Sequence, residues 1–359
     1  MGLSIAVLHN LRRLRNRPGD TGEAAGLEAE YDTQETVDAL CAALEAAGHR
    51  AVAIEADADC VQHLRQRRPD LVFNVAEGLP AEGREAQAPA LCDLLGIPYT
   101  GSGVLTLALC LDKAMAKRVL LQQGIPTPAF RLVRPGEPAG ASGLRFPLFV
   151  KPVGEGTSMG ISPHSVVHDP AELDRQVRAV HGAYRQAALV EEFLEGREFT
   201  VGLLGNGPVT VLPITEINYG ALPAGYPPVY TYQFKKEWEE DRYYFLPAPL
   251  DEALQRRVAE TALAASGALG CRDVSRIDLR LDRAGVPHVL EINPLPGMAP
   301  GVSDLPKQAD AAGLGYGGLV CAIVEAALRR GRGSLSASGW SGGRPGHFHE
   351  APHRGAQDP

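Results

Sequence analysis

Apolar positions along this chain fall into short runs of period two, separated by longer stretches of period 3.6. The run at 4–8 predicts a strand. Residues 33–48 carry apolar positions on one helical face and stop at Gly48, a residue suited to a helix end. A strand at 50–54, a helix at 58–67 and a strand at 71–75 follow. This βαβαβ order predicts a parallel sheet. A helix at 86–95 leads to a turn at Gly96–Pro98, and a helix over about 105–123 ends at Gly124. Between 125 and 187 the pattern gives a strand, a glycine-rich loop, a strand and a helix beginning near Pro170. Strands at 189–194, 199–204 and 209–217 come next. Residues 221–249 are rich in Pro, Gly and Tyr and too irregular for a core element. A helix at 250–269 ends at Gly270, two charged strands follow, and a last helix spans 315–330. From Gly331 onward Gly, Ser, Pro and His dominate, which predicts a disordered tail.

The two charged strands carry the first chemical signal. In 274-VSRIDLRLD-282, Arg276, Asp278 and Arg280 share one face, and Ile277, Leu279 and Leu281 share the other. In 288-HVLEINPLPG-297, Glu291 and Asn293 share a face, with Leu290 and Ile292 opposite. Side by side, the strands place Asp278, Glu291 and Asn293 in one cluster of oxygen donors beside an arginine. Mg²⁺ prefers hard oxygen ligands and usually reaches them together with nucleotide phosphates. An antiparallel hairpin with one solvated face fits these two segments equally well.

A second segment shifts that balance. In 146-FPLFVKPVGEGTSMGIS-162 an apolar strand ends in Lys151 and runs into a loop with Gly154, Gly156 and Gly160, centred on Thr157 and Ser158. Glycines let backbone N–H groups close around phosphate oxygens, and hydroxyls add donors. A lysine entering the loop supplies a point charge for phosphate. The segment does not read GxxxxGK[ST], so it is not a P-loop. Alone, such a loop is also compatible with a hairpin turn.

With these segments the chain resembles the D-alanine–D-alanine ligases of the ATP-grasp superfamily. The resemblance runs from about Leu71 to Arg330. It includes 98-PYTGSG-103, 111-LDKAMAK-117, 150-VKPVGEGTSMG-160, 190-VEEFLEGREFTV-201, 275-SRIDLRLD-282 and 291-EINPLPGM-298, six blocks in the family's order. It implies an α/β (α+β) chain with an ATP-grasp fold and an N-terminal Rossmann-like domain. The expected units are 1–108, a central subdomain at 109–187, a catalytic subdomain at 188–331 and the tail at 332–359.

The resemblance also implies roles. Lys113 and Lys151 match lysines that hold the nucleotide phosphates, with Glu155, Gly156 and Ser158 of the loop beside them. Glu191 matches the carboxylate that reads the adenine amino group; Glu192, Phe193 and Leu194 line the adenine slot, and Glu198 holds the ribose. Thr157 takes the place of a loop serine, and Lys235 that of a lysine in a mobile lid at 221–249. Arg276 and the Gly297 amide match groups that stabilise charge at the reacting carbonyl. Asp278, Glu291 and Asn293 match magnesium ligands, with Glu291 bridging two ions. The implied cofactors are ATP and Mg²⁺, with Mn²⁺ as a substitute. The implied activity is ligation of a carboxylate to an amine through an acyl phosphate.

The chain also departs from the family. The Ser- and Glu-bearing turn that contacts the first D-alanine's ammonium is absent after 4-SIAVLHN-10, with Glu23 and Glu28 as unaligned substitutes. The lid tyrosine is Lys236. Beyond Gly297 the Ser-Leu pair is replaced by 298-MAPGVSDLP-306, where Ser303 is a loose counterpart. The nucleotide half is intact while the amino-acid half is altered. The expected substrates are small amino acids or carboxylates, with specificity moved away from D-alanine. The alternative is an ATP-binding sensor or scaffold without ligase turnover.

Composition narrows the classes further. The chain of 359 residues has a net charge of −8, which argues against a nucleic-acid partner. No apolar stretch approaches the ~20 residues of a membrane span. The first apolar run is a strand rather than a signal segment. Six scattered cysteines with no C-x-x-C pair suit a reducing compartment. A cytoplasmic enzyme, with a homodimer as an admissible assembly, is the expectation.

Overall fold

The computed structural model describes residues 2–12, 28, 30–222, 226–231 and 241–337. Its first unit holds β1 (Ser4–His9), α1 (Gln34–Ala46), β2 (Arg50–Glu55), α2 (Cys60–Arg67), β3 (Leu71–Asn74) and α3 (Gln87–Leu95). The strands pair in parallel in the order β2-β1-β3. The Thr33 hydroxyl caps α1 by accepting from the Thr36 N–H. The helix gives way to Gly48 at φ 85°. Val37, Leu40 and Leu44 of α1 share one buried core with residues near the C-terminus, among them Leu319 and Ile323. Burial of that shared apolar surface fixes the first unit against the last.

The helix expected over 105–123 is two helices, α4 (Val104–Leu111) and α5 (Lys113–Gln122). The chain turns extended at Asp112, with ψ 96°. Its carboxylate accepts from the Met115 N–H at 2.9 Å, and the Lys113 N–H donates to Val153 O at 3.1 Å. The break thus caps α5 and sets Lys113 at its first position, against the glycine-rich loop.

The central unit is an antiparallel sheet of β4 (Phe130–Val133), β5 (Leu148–Pro152), β6 (Val166–Val167) and β7 (Ala188–Glu192), ordered β4-β7-β5-β6. Covering it is α6 (Pro170–Tyr184), which Asp169 caps by accepting from two N–H groups. The expected boundary at 187/188 therefore moves. The strand read as opening the third unit pairs with β4 and β5, so the central unit runs to Glu192.

The third unit contains β8 (Glu198–Leu204), β9 (Thr210–Val211), β10 (Thr215–Ile217), β11 (Tyr244–Phe245), α7 (Glu252–Ala268), β12 (Val274–Leu281), β13 (Pro287–Asn293), α8 (Asp304–Ala311) and α9 (Gly315–Ala337). Its sheet runs β11-β10-β8-β12-β13, with β9 on β8. The strand expected at 209–217 is interrupted into β9 and β10. Helix α8 was not foreseen, since it is short and contains Pro306. Helix α9 continues past 330 to Ala337, and residues 338–359 lie outside the described residues. Lys235 and Lys236 also lie outside them.

One strand departs from simple alternation. Asp278 lies opposite Glu291, but Leu279 lies opposite Val289, so Leu290 is an extra residue in β13. Such a bulge re-aims the side chains beside it. Leu290 consequently joins Glu291 in lining the cleft, contrary to the opposite-face expectation.

Among the described residues no single helix is long and apolar enough to cross a membrane.

Candidate active site

The central sheet and the third sheet line an open cavity, with about 810 Å³ of empty space that includes its mouth to solvent. Lys151, Glu191, Phe193 and Leu194 come from the central side. Glu198, Thr200, Asp278 and Arg280 come from the other. Glu191 is the hub of the central wall. Its carboxylate sits 2.9 Å from Lys151 Nζ and 2.6 Å from Lys117 Nζ, and is 2 % exposed. Burial opposes its charge, yet the two ammonium groups hold it below the usual carboxylate range. Burial also pulls the Lys117 ammonium down to about 8, against the pull of Glu191. Lys151 is therefore partnered with Lys117, while Lys113 reaches a different carboxylate. Glu192, next along, is engaged by Arg145 Nη2 at 3.1 Å.

The glycine-rich loop has an unusual backbone. Thr157 and Ser158 are consecutive non-glycine residues at φ 47° and 58°. That region is disfavoured for side chains beyond glycine and is typically retained where surrounding contacts and function demand it. Here Gln186 supplies the hold. Its Oε1 accepts from the Gly154 N–H at 2.7 Å, and its Nε2 donates to Glu155 Oε1 at 2.5 Å. A Cβ on Gly156 would stand 2.0 Å from Glu30 Oε1, so any larger residue there would displace the Glu30 carboxylate.

The oxygen-donor cluster forms as the alternation predicted. Asp278 and Glu291 are paired across β12 and β13, as are Arg276 and Asn293. The Asp278 carboxylate accepts from Arg276 Nε at 3.2 Å and Nη2 at 2.9 Å. It also accepts from Thr200 Oγ1 at 2.9 Å and Asn293 Nδ2 at 3.1 Å. Glu291 Oε1 lies 3.0 Å from Lys113 Nζ. Burial opposes charge on Glu291, but Lys113 and Lys151 keep its carboxyl below the usual range. Two carboxylates and one amide oxygen are hard donors that suit Mg²⁺. Among the described residues no three His, Cys, Asp or Glu side chains converge to hold a metal unaided. A magnesium ion here would take its remaining ligands from phosphate and water, which is its usual habit.

A second open cavity, with about 640 Å³ of empty space including its mouth to solvent, adjoins the first. Thr157, Arg276 and Glu291 line both. Glu30, Glu77 and Glu85 give it an acidic wall, and Gly297 also lines it. Arg84 is ion-paired with Glu30 and donates to Gly154 O at 3.0 Å. Burial, then the neighbouring Glu30, pushes Glu85 up to about 7 and raises Glu77 well above the usual carboxylate range. This wall is thus short of positive charge. Sequence reasoning missed it because two segments far apart in the chain converge there, Glu30 ahead of α1 and Glu77 and Glu85 on the β3–α3 connection. Of the two substitutes considered, Glu23 lies outside the described residues, and Glu28 is not among the residues lining this cavity. Ser303 does stand beside Gly297: a Cβ on Gly297 would meet Ser303 Oγ at 2.9 Å.

This arrangement can be set against known proteins. Residues 119–325 match the family model described as "D-ala D-ala ligase C-terminus". A D-alanine–D-alanine ligase of Syntrophotalea carbinolica is 36% identical over 308 residues, covering 85% of this chain and 94% of that one. A D-alanine–D-alanine ligase of Methylocella silvestris is 38% identical over 307 residues, covering 84% of this chain and 95% of that one. An uncharacterized Sinorhizobium fredii protein, y4sG, is 38% identical over 301 residues, covering 82% of this chain and 87% of that one. The crystal structure of D-alanine–D-alanine ligase from Bacillus anthracis complexed with ATP superposes with a TM-score of 0.72 at 25% identity, covering 93% of this chain and all of that one. The chain belongs to the D-alanine–D-alanine ligase family and is an ATP-grasp ligase dependent on ATP.

Proposed function

We propose that this enzyme joins the carboxylate of one small amino acid or carboxylic acid to the amine of another through an acyl phosphate. The observation that carries the reading is the junction of the two cavities at Thr157, Arg276 and Glu291. ATP would occupy the first cavity, with its triphosphate toward the glycine-rich loop, Lys151 in that cavity and Lys113 beside Glu291. The acids and amines would occupy the second. Asp278, Glu291 and Asn293 would hold Mg²⁺, with Glu291 shared between two ions. The metal would supply charge neutralisation for phosphoryl transfer.

The chemistry then follows from position. A substrate carboxylate oxygen attacks the γ-phosphorus and ADP departs. The incoming amine nitrogen attacks the acyl carbon, loses a proton, and phosphate leaves. Arg276, which lines both cavities, and the Gly297 N–H, in the second, would donate to the transient oxyanion. Glu30, Glu77 and Glu85 would hold the substrate ammonium that the family's missing N-terminal glutamate would otherwise engage. Replacing one carboxylate by three alters the groups that a bound substrate must satisfy. Sites that hydrogen-bond a substrate discriminate strongly against analogues leaving their polar groups unpaired. D-Alanine with itself is therefore expected to be a poor substrate pair.

The test is phosphate release from Mg-ATP across D- and L-amino acids, singly and in pairs. Release with a pair other than D-alanine, accompanied by a new amide, is the expected result. Efficient formation of D-alanyl-D-alanine, at about 10 s⁻¹ as for a typical enzyme, would overturn the change in specificity. ATP binding with no release for any pair would point instead to a nucleotide sensor.

A further inference from the structure

Arg280 has no task in the chemistry above, yet it is built into the first cavity. Its side chain is 5 % exposed and lines that cavity. Nε donates to Gly196 O at 3.0 Å. Nη1 donates to Glu198 Oε2 at 3.1 Å and to Pro228 O at 2.9 Å. The guanidinium carbon lies 4.7 Å from the Phe193 ring centroid and 5.0 Å from that of Tyr219. The Tyr219 hydroxyl donates to the same Glu198 oxygen at 2.7 Å. Two rings and three acceptors thus fix the fork in one orientation.

The remaining nitrogen, Nη2, is buried with no acceptor. Guanidinium stays protonated in proteins, so this donor cannot be silenced by losing its proton. Buried donors are almost always paired in folded proteins, and an exception beside a cavity calls for a partner that enters it. Asp278 stands two residues away on the same face of β12. Arg280 itself is packed on Phe193 and Glu198, the residues that the family resemblance assigns to the nucleoside.

We propose that Arg280 reads the nucleoside half of bound ATP, donating from Nη2 to a sugar oxygen or a purine ring nitrogen. This rests on ATP occupying the first cavity. The bond to Pro228 O makes the same side chain a tie between nucleoside and the segment 226–231. It would therefore add nucleotide specificity where a smaller or apolar residue on β12 would give only packing.

Calorimetric titration of the full chain with Mg-ATP and Mg-2′-deoxyATP tests it. Arg280→Lys keeps a cation beside Glu198 but loses the planar fork. The expected result is ATP binding weakened by about tenfold, the scale of a charge-assisted hydrogen bond. A loss confined to ATP places the acceptor at the 2′-hydroxyl; a loss shared by 2′-deoxyATP places it elsewhere on the nucleoside, and either supports the proposal. Unchanged affinity for ATP in a folded Arg280→Lys protein overturns it. A wild-type chain that does not bind Mg-ATP would sink the nucleotide site itself, a separate failure. If the variant does not fold, a crystal structure of the wild type with a non-hydrolysable ATP analogue decides. Nη2 within about 3.2 Å of a nucleoside acceptor supports the proposal, and a water in that place overturns it.

Discussion

Replacing Glu291 by glutamine is expected to lower turnover by about a thousandfold, equivalent to ~4 kcal/mol of barrier. The carboxylate is one of three side chains, with Thr157 and Arg276, that border both halves of the proposed site. It lies opposite Asp278 in the sheet, 3.0 Å from Lys113, and borders both cavities. A neutral amide of the same shape would weaken the hold on metal and leave the Lys113 ammonium without its counter-charge. Uncompensated buried charge is strongly destabilising, so a modest fall in melting temperature should accompany the loss. The neighbouring Val289 and Ile292 stay buried, which should preserve the fold. Steady-state ADP release, with circular dichroism as the folding control, checks this. Turnover within about threefold of wild type, well under the tenfold that ~1.4 kcal/mol represents, would remove Glu291 from the chemistry.

The second large effect is expected at Arg276. Arg276→Lys should lower kcat by about a hundredfold to a thousandfold, the range for losing a donor to a developing oxyanion. Lysine keeps a charge but not the paired donors that grip Asp278 through Nε and Nη2. Nothing in the ATP contacts proposed above involves Arg276, so Mg-ATP affinity should change little. A fall in ATP affinity with kcat preserved would instead make Arg276 a phosphate-binding group. Measuring kcat and ATP dissociation separately distinguishes the two.

What was legible in the sequence follows a physical division. The Arg276–Asp278 face of β12 was readable because strand side chains alternate with period two within one continuous segment. The same rule misplaced Leu290, because a bulge adds one residue and breaks the period. Lys113 and Lys117, four apart on α5, were bound to share a helical face. Which carboxylate each reaches depends on packing between units: Glu291 for the first, Glu191 for the second. The break at Asp112 was hidden because apolar periodicity continues across it, and only the capping contact to Met115 N–H reveals it. Strand β7 looked like the start of a new unit because strand pairing is non-local. The acidic wall of Glu30, Glu77 and Glu85 was out of reach for the same reason, since its members meet only after the parallel sheet and the glycine-rich loop are assembled.

The most direct test of the ligase account follows one oxygen atom. An acid substrate identified by the phosphate-release panel is labelled with oxygen-18 in its carboxylate and turned over with unlabelled Mg-ATP and its partner amine. Attack of that carboxylate on the γ-phosphorus requires one labelled oxygen to leave with phosphate for each amide formed. Labelled phosphate in that ratio is the predicted result. Amide formation with unlabelled phosphate would contradict the acyl phosphate and, with it, the placement of phosphoryl transfer at the junction of the two cavities.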